Sequence, residues 1–220
     1  MWTYFRSDDV EFGVPDGVPG TRLKPHLHDV VQVMLLTEGS RQVTLGTATV
    51  CIEASCALII PAGVVHVARE GAWAGFNAYV EPDGLSNSAA RLLRIESLPS
   101  WIGEKVEACL GQHCYALLDL ISDAIPIWED SRIEPFSFAA ADTSDWPESR
   151  EGQIRRYQRE AGISPYAHMK AAQLSQARRR IAEGESIASV AVDLGFTDQA
   201  HLGRQFKASY GTSPGRYAKG

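Results

Sequence analysis

The 220-residue sequence predicts an α+β protein, an all-β N-terminal barrel followed by an all-α tandem helix-turn-helix unit. Three observations carry that prediction. A phrase near the C-terminus, Arg155-x-Tyr157 followed by Gly162 and Ser164-Pro165, returns forty-nine residues later as Arg204-x-Phe206, Gly211 and Ser213-Pro214. The first hundred residues instead hold short β-branched stretches broken by Gly and Pro. Charge is divided in the same way: Ser149 to Gly220 carries 12 Lys and Arg against 6 Asp and Glu, and the rest of the chain 9 against 21.

The β-branched stretches run from Val30 to Thr37, Arg41 to Leu45, Ala48 to Ile52, Ala57 to Ile60, Val64 to Ala68 and Gly75 to Val80. Strands this short, with turn residues between them, suit a barrel or sandwich. His26 and His28 would share one face of a strand, and His66 on another strand can converge on them. Three neutral imidazoles with an open position suit zinc, iron, nickel or copper. The same side chains could equally contact an organic effector, or simply hydrogen-bond within the barrel. Leu92 to Leu98 reads as a strand or tether. Trp101 to Leu110 and Tyr115 to Ile125 have helical apolar spacing, and Pro126 should end or kink the second helix. Its Leu117, Leu118, Leu120, Ile121 and Ile125 would form the scaffold core of the first DNA-binding subdomain or a dimerisation seam.

In the helical part Ser186 can cap a helix whose Ile187, Val190, Ala191 and Leu194 share one face. Gly195-Phe196 then turns the chain into a second helix from Asp198 to Tyr210. In such a unit the first helix braces the second, whose polar face fits the DNA major groove. That face offers Thr197, Asp198, Gln199, His201, Arg204 and Gln205. Shifting the template back by forty-nine residues aligns Ser137 to Pro147 and Ser149 to Ala161 with it. There Trp146 replaces Gly195, Asp142 replaces Ala191, Gly152 replaces His201 and Gln153 replaces Leu202. A helical Gly costs about 1 kcal/mol relative to Ala, so a looser first copy is expected. Its Arg150, Arg155, Arg156 and Arg159 should meet phosphate more than bases, with Ser149 a further DNA contact. Between the copies Pro165 to Glu183 forms a linking helix, with Met169, Ala172, Leu174, Ala177 and Ile181 inward and Arg178, Arg179 and Arg180 largely outward. An all-helical interaction module is the plainer alternative, but a basic run on this template is better explained by phosphate.

Ile187 to Phe206, together with Gly211 to Pro214, resembles the second helix-turn-helix of AraC/XylS-type transcription regulators, a match that covers residues 164–218. His26-x-His28-x-x-x-Gln32, Pro61-Ala-Gly63-x-x-His66 and an apolar strand ending Tyr79-Val-Glu-Pro82 resemble the sensor cupins of that group over roughly residues 20–100. Metal-binding cupins usually carry Glu where this chain has Gln32, and no His lies between His66 and His113. The resemblance implies a sequence-specific DNA-binding regulator, not an enzyme, whose cupin senses a small molecule or metal. It implies effector contacts from His26, His28, Gln32 and His66, with His26, His28 and His66 as the set for a divalent transition metal. Arg204, Gln199 and His201 would touch bases, and Lys207, Arg155 and Arg156 the backbone. The partners would be double-stranded DNA, the effector and RNA polymerase, with the chain a monomer or homodimer. Two alternatives are a metal-dependent cupin enzyme with a helical tail and a regulator-derived adaptor with weakened DNA binding.

The expected organisation is a cupin-like domain over 1–100, a linker helix over 101–116 and a DNA-binding domain over 117–220, with helix-turn-helix units at about 137–162 and 186–211. No apolar run reaches about 18 residues, and Met1 to Asp9 lacks the basic-then-apolar order of a secretion signal. A cytoplasmic location without membrane association is expected. Cys51, Cys56, Cys109 and Cys114 form two pairs with four intervening residues, read as reduced, mostly buried thiols. Cys109, His113 and Cys114 form a further metal or redox candidate by proximity alone.

Overall fold

The computed structural model describes residues 1–6, 10–15, 23–69, 71–81, 89–99, 102, 114–133 and 149–220. Nine strands occupy its N-terminal part: β1 (Trp2–Arg6), β2 (Val10–Pro15), β3 (Val31–Leu45), β4 (Ala48–Glu53), β5 (Cys56–Ile60), β6 (His66–Ala68), β7 (Trp73–Val80), β8 (Ala90–Arg94) and β9 (Ile125–Asp130). Helix α1 (Cys114–Ser122) stands between the last two. The sheet order is β1-β2-β7-β3-β5-β8-β9, with β4 and β6 both on β3.

Two of the expected strands are one. β3 runs through the predicted break, shifting register between Leu36 and Glu38. Its first half pairs with β5 and β7 and its second with β4 and β6. Such a shift bends a strand and lets a sheet curl. The period of two then separates two cores. Met34, Leu36, Val43, Leu45, Leu58 and Ile60 face the interior. Val31, Val33, Leu35, Ile59, Phe76 and Ala78 face outward, where Leu117 and Ile121 of α1 cover them.

The segment after residue 113 departs from expectation. α1 ends at Ser122, not Ile125, and Pro126 lies inside β9. Proline is tolerated there because β9 is an edge strand, paired among the described residues to β8 alone. With Leu117 and Ile121 buried on the sheet, α1 and β9 pack with the β unit, beyond the boundary expected at 116. Leu117 and Ile121 are therefore core of the β unit and not of a DNA-binding subdomain, Leu118 and Leu120 are half-buried against that core, and Ile125 is 45% exposed on β9. Cys56 is buried and Cys51 exposed, and both are free thiols. Cys109 and His113 lie outside the described residues.

The C-terminal helices are α2 (Arg150–Ala161), α3 (Pro165–Ala182), α4 (Ile187–Asp193), α5 (Gln199–Tyr210) and α6 (Pro214–Tyr217). Each starts as its sequence dictates. Ser149, Ser164, Ser186, Asp198 and Ser213 all accept the backbone N–H of the third residue onward. α2 and α5 end on left-handed glycines, Gly162 at φ 74° and Gly211 at φ 73°. The expected helix from Ser137 to Pro147 lies outside the described residues. Among the described residues no helix is long and apolar enough to cross a membrane.

The β and helical units share a core. Leu174, Ala177 and Ile181 of α3, Tyr210 of α5 and Tyr217 of α6 join Trp2, Tyr4 and Met34 in one apolar cluster. Two expectations for α3 fail on this packing. Met169 is 38% exposed, and Arg178 is only 4% exposed. α3 is pressed between α4–α5 on one side and the barrel on the other, so the face that holds Arg178 is also covered.

Candidate functional site

His26 and His28 lie in the segment that leads into β3, not on a regular strand as expected. One bridge places them: His26 pairs with His66, their backbone N–H···O contacts being 3.1 and 2.8 Å. All three rings are buried. Ring centroids are 4.4 Å apart for His26–His66, 5.2 Å for His26–His28 and 5.4 Å for His28–His66. One nitrogen from each ring lies within 4.8 Å of the others. Nδ1 of His26 is 2.8 Å from the Lys24 carbonyl, and Nδ1 of His66 is 3.1 Å from that of Val64. With Nδ1 protonated as the donor, each Nε2 lone pair is left for a ligand. Both nitrogens of His28, Nε2 of His66, Oε1 of Gln32 and Oδ1 of Asn77 are buried without a hydrogen-bond partner. Desolvation pushes the His66 pKa down to about 4 and those of His26 and His28 well below the ordinary imidazole range. The cluster is thus neutral at pH 7, the form that coordinates a metal or accepts a hydrogen bond.

Aromatic rings from both units close over this cluster. Tyr79 of β7 lies 4.6 Å from His28, and Tyr210, the last residue of α5, lies 5.5 Å from both His26 and His28. The Tyr210 hydroxyl donates to the Leu27 carbonyl at 3.3 Å, and Tyr4 donates to the Tyr210 carbonyl at 3.1 Å. Behind them Arg178 sits over the Tyr79 ring at 4.3 Å and forms an ion pair with Glu11. Glu11 also accepts from Arg6 at 2.8 Å and from the Tyr217 hydroxyl at 2.7 Å. Burial alone would weaken the Arg178 charge, but Glu11 beside it raises its pKa well above the usual value. A groove of about 340 Å³ opens at this joint, lined in part by Glu11, Asp29, Tyr79, Arg178 and Tyr217.

On α5 and the turn before it Thr197, Asp198, Gln199, Arg204 and Lys207 are exposed, while His201 and Gln205 are half-buried. Asp198 is committed to its cap, accepting the His201 N–H at 2.6 Å. His201 turns partly inward, its Nδ1 3.4 Å from the Thr197 N–H and its ring edge-on to Phe196. Lys24 of the β unit reaches this helix, its ammonium 3.4 Å from Gln205 Oε1 and its N–H donating to the Ala208 carbonyl at 2.9 Å. On α2 Ser149 serves as cap, Arg150 and Arg155 are exposed, and Arg156 pairs with Glu160 at 3.0 Å. Both helices end against the β unit. A Cβ at Gly162 would collide with the carbonyl of Gly46, in the turn between β3 and β4, and one at Gly211 with the ring of Trp2.

Asn77, Arg178, Tyr210 and Arg41 were not among the expected site residues, and Tyr79 entered only as the end of the apolar strand in the sensor motif. Arg41 carried a readable signal, because it shares its strand face with Val43 and Leu45. Arg178 carried none, since its partner Glu11 lies 167 residues away.

Comparison with known proteins follows these two units. Residues 10–125 match the family described as AraC-like ligand binding domain, and residues 149–220 match the helix-turn-helix domain family. The HTH-type transcriptional regulator MtrA of Neisseria gonorrhoeae is 33% identical over 72 residues, which make up 32% of this chain and 24% of that protein. Unsaturated fatty acid-bound ToxT from Vibrio cholerae strain SCE256 superposes with a TM-score of 0.53 at 11% identity, over 97% of this chain and 96% of that one. ToxT from Vibrio cholerae O395 bound to (E)-4-(8-methylnaphthalen-1-yl)but-3-enoic acid gives 0.51 at 11% identity, over 100% and 98%. The likeness to ToxT is one of fold, a β domain and its helices superposed in a single chain. By these matches, the chain belongs to the AraC family of transcription regulators, with a ligand-binding β domain ahead of a helix-turn-helix DNA-binding domain.

Proposed function

We propose that an effector bound at His26, His28, Gln32 and His66 changes how α5 and α6 seat on the barrel, and so changes DNA binding. The observation that carries this reading is Tyr210, which ends the second reading helix and lies 5.5 Å from two of the three imidazoles. A ligand cannot reorganise those rings without meeting it. The coupling free energy required is about 1–3 kcal/mol, within reach of one displaced aromatic contact and its hydrogen bond.

In this reading α5 lies in the major groove. Gln199, Arg204 and His201 contact bases, with Thr197 and Gln205 beside them and Asp198 holding the helix start. Lys207, Ser149, Arg150, Arg155 and Arg156 contact the backbone. The protein acts as a regulator and not a catalyst, in the cytoplasm, as a monomer or homodimer that engages RNA polymerase at its target. A metal effector is the second reading, favoured by three imidazole donors within 4.8 Å of one another. His26, His28 and His66 would hold a divalent transition metal, which would supply a fixed charge next to Tyr210.

The test is selection of the full chain on random DNA duplexes, with and without a chelator, followed by sequencing. Two enriched boxes about one helical turn apart are expected. Loss of enrichment on chelation would assign the histidines to a metal, and no enrichment in any condition would overturn the DNA-binding assignments.

A further inference from the structure

The barrel interior holds a positive charge that no acidic group in the described structure answers. Arg41, on the second half of β3, is 4% exposed. Its guanidinium lies over the Trp73 ring at 4.3 Å, Nη1 is 3.9 Å from the Met34 sulfur, and Nε is 3.5 Å from the Arg69 carbonyl. Among the described residues no carboxylate forms an ion pair with it. Arg178 is buried to the same extent and has Glu11. Burial lowers the Arg41 pKa to about 10, so it remains charged at pH 7. A buried charge of this kind is retained at a cost unless something pairs with it.

Polar groups on the same interior face of the sheet specify more than charge. Met34, which touches Arg41, stands opposite Asn77 in the ladder, and Gln32 stands opposite Tyr79. Gln32 Oε1 and Asn77 Oδ1 are acceptors without donors, and Trp73 Nε1 is a donor without an acceptor. Arg41 also acts on His66, whose protonation its field opposes. A bare divalent cation would add to the positive charge, and a neutral polyol would leave it unpaired. A purely apolar acid would leave both amide oxygens unmet. An amino acid would bring its ammonium group towards a guanidinium. A carboxylate for Arg41 and Trp73 with hydroxyl donors for Gln32 and Asn77 meets every condition.

We propose that the effector of this barrel is a small hydroxycarboxylate, bound with its carboxylate on Arg41 and its hydroxyls on Gln32 and Asn77. The proposal rests on the reading of the β domain as the sensor. It is tested on the full-length protein by calorimetric titration and thermal unfolding with D-glycerate, L-threonate and D-gluconate. Each is set against its uncharged counterpart, glycerol, L-threitol and D-sorbitol, at matched ionic strength. At least one acid should bind and raise the unfolding midpoint while its counterpart does not. Arg41→Met should weaken that acid at least about tenfold, and Arg41→Lys by less, because lysine keeps the charge and loses the fork. Equal binding of acid and counterpart, no binding of any acid, or an Arg41→Met affinity within about twofold of the parent each overturns the proposal. The acid-versus-counterpart comparison needs no variant, so it decides even if Arg41→Met fails to fold. Duplex selection run without any acid separates the two readings, because DNA enrichment then stands or falls independently of the ligand.

Discussion

α2 and α5 are copies of one phrase, each 12 residues long with the same kind of cap at either end, yet they are held in different ways. α5 buries Leu202, Phe206, Ser209 and Tyr210, braced by Val190 and Ala191 of α4. α2 buries only Tyr157 and Ala161, and Gln153 stands half-buried where α5 has Leu202. The side chains that begin and end the helix persist, while the apolar one at its middle is replaced by a polar one. A fully buried Leu contributes about 1.5–3 kcal/mol, which α2 forgoes at this position. α2 meets α3 through the 2.8 Å contact between the Tyr157 hydroxyl and His168, and the β domain through Gly162.

The largest test of this contrast is Phe206→Ala, which should cost about 3–5 kcal/mol in urea unfolding, because the cavity opens in the shared core. Tyr157→Ala, the same repeat position in α2, should act locally, raising amide exchange across α2 more than it shifts the global midpoint. Equal global shifts would show that both helices belong to one cooperative unit.

Acid comes next in size. The His66 pKa falls from 6.5 unfolded to about 4 folded, so the unfolded chain takes up its proton first as pH drops. Stability is therefore full above about pH 6.5 and is lost from there down to about 4, His66 alone removing about 3 kcal/mol. His26 and His28 are depressed in the same direction and add to the loss. The seat of α5 on these rings should loosen before that of α2, whose Tyr157 meets His168 instead. Urea midpoints that stay flat from pH 7 to 4 would remove the neutral cluster from the account.

Arg178→Met should cost about 2–3 kcal/mol, less than a fully orphaned carboxylate would, since Glu11 keeps Arg6 and Tyr217. In a double-mutant cycle with Glu11→Gln the two losses should not add. Additive losses would mean that Arg178 acts by packing alone. The smallest effects belong to the reading faces. Arg204→Ala should cost about 1–3 kcal/mol of binding and relax preference at one base. Arg155→Ala should weaken all sequences alike and reduce the salt slope by about 1. An altered sequence preference in Arg155→Ala would show that the first copy reads bases too.

The helical half was legible because its signals are local. Ser at a cap, Gly at a left-handed end and Pro at a helix start each act within one turn, and all five caps of α2 to α6 follow from them. The β half was legible in pattern but not in pairing. β1 and β2 carry weak alternation and owe their place to β7, some sixty-five residues on. β9 owes its place to β8, and the sequence alone suggested a helix up to Pro126. The three histidines converge as the motif suggested, but by another route, since a bridge and a loop, not a shared strand, bring the rings together. Arg178 was the plainest miss. Within Arg178-Arg179-Arg180 nothing local separates the buried guanidinium from its two neighbours, because only the tertiary partner does.

The two cap glycines have a mechanical consequence. Gly162 abuts the turn at Gly46, and Gly211 abuts Trp2 at the start of β1, so α2 and α5 are footed on two separate points of a single β scaffold. The distance and angle between them are then set by that scaffold as well as by α3. Under the proposed function, an operator is consequently measured against the whole chain, as a span is measured by callipers whose hinge is the β domain.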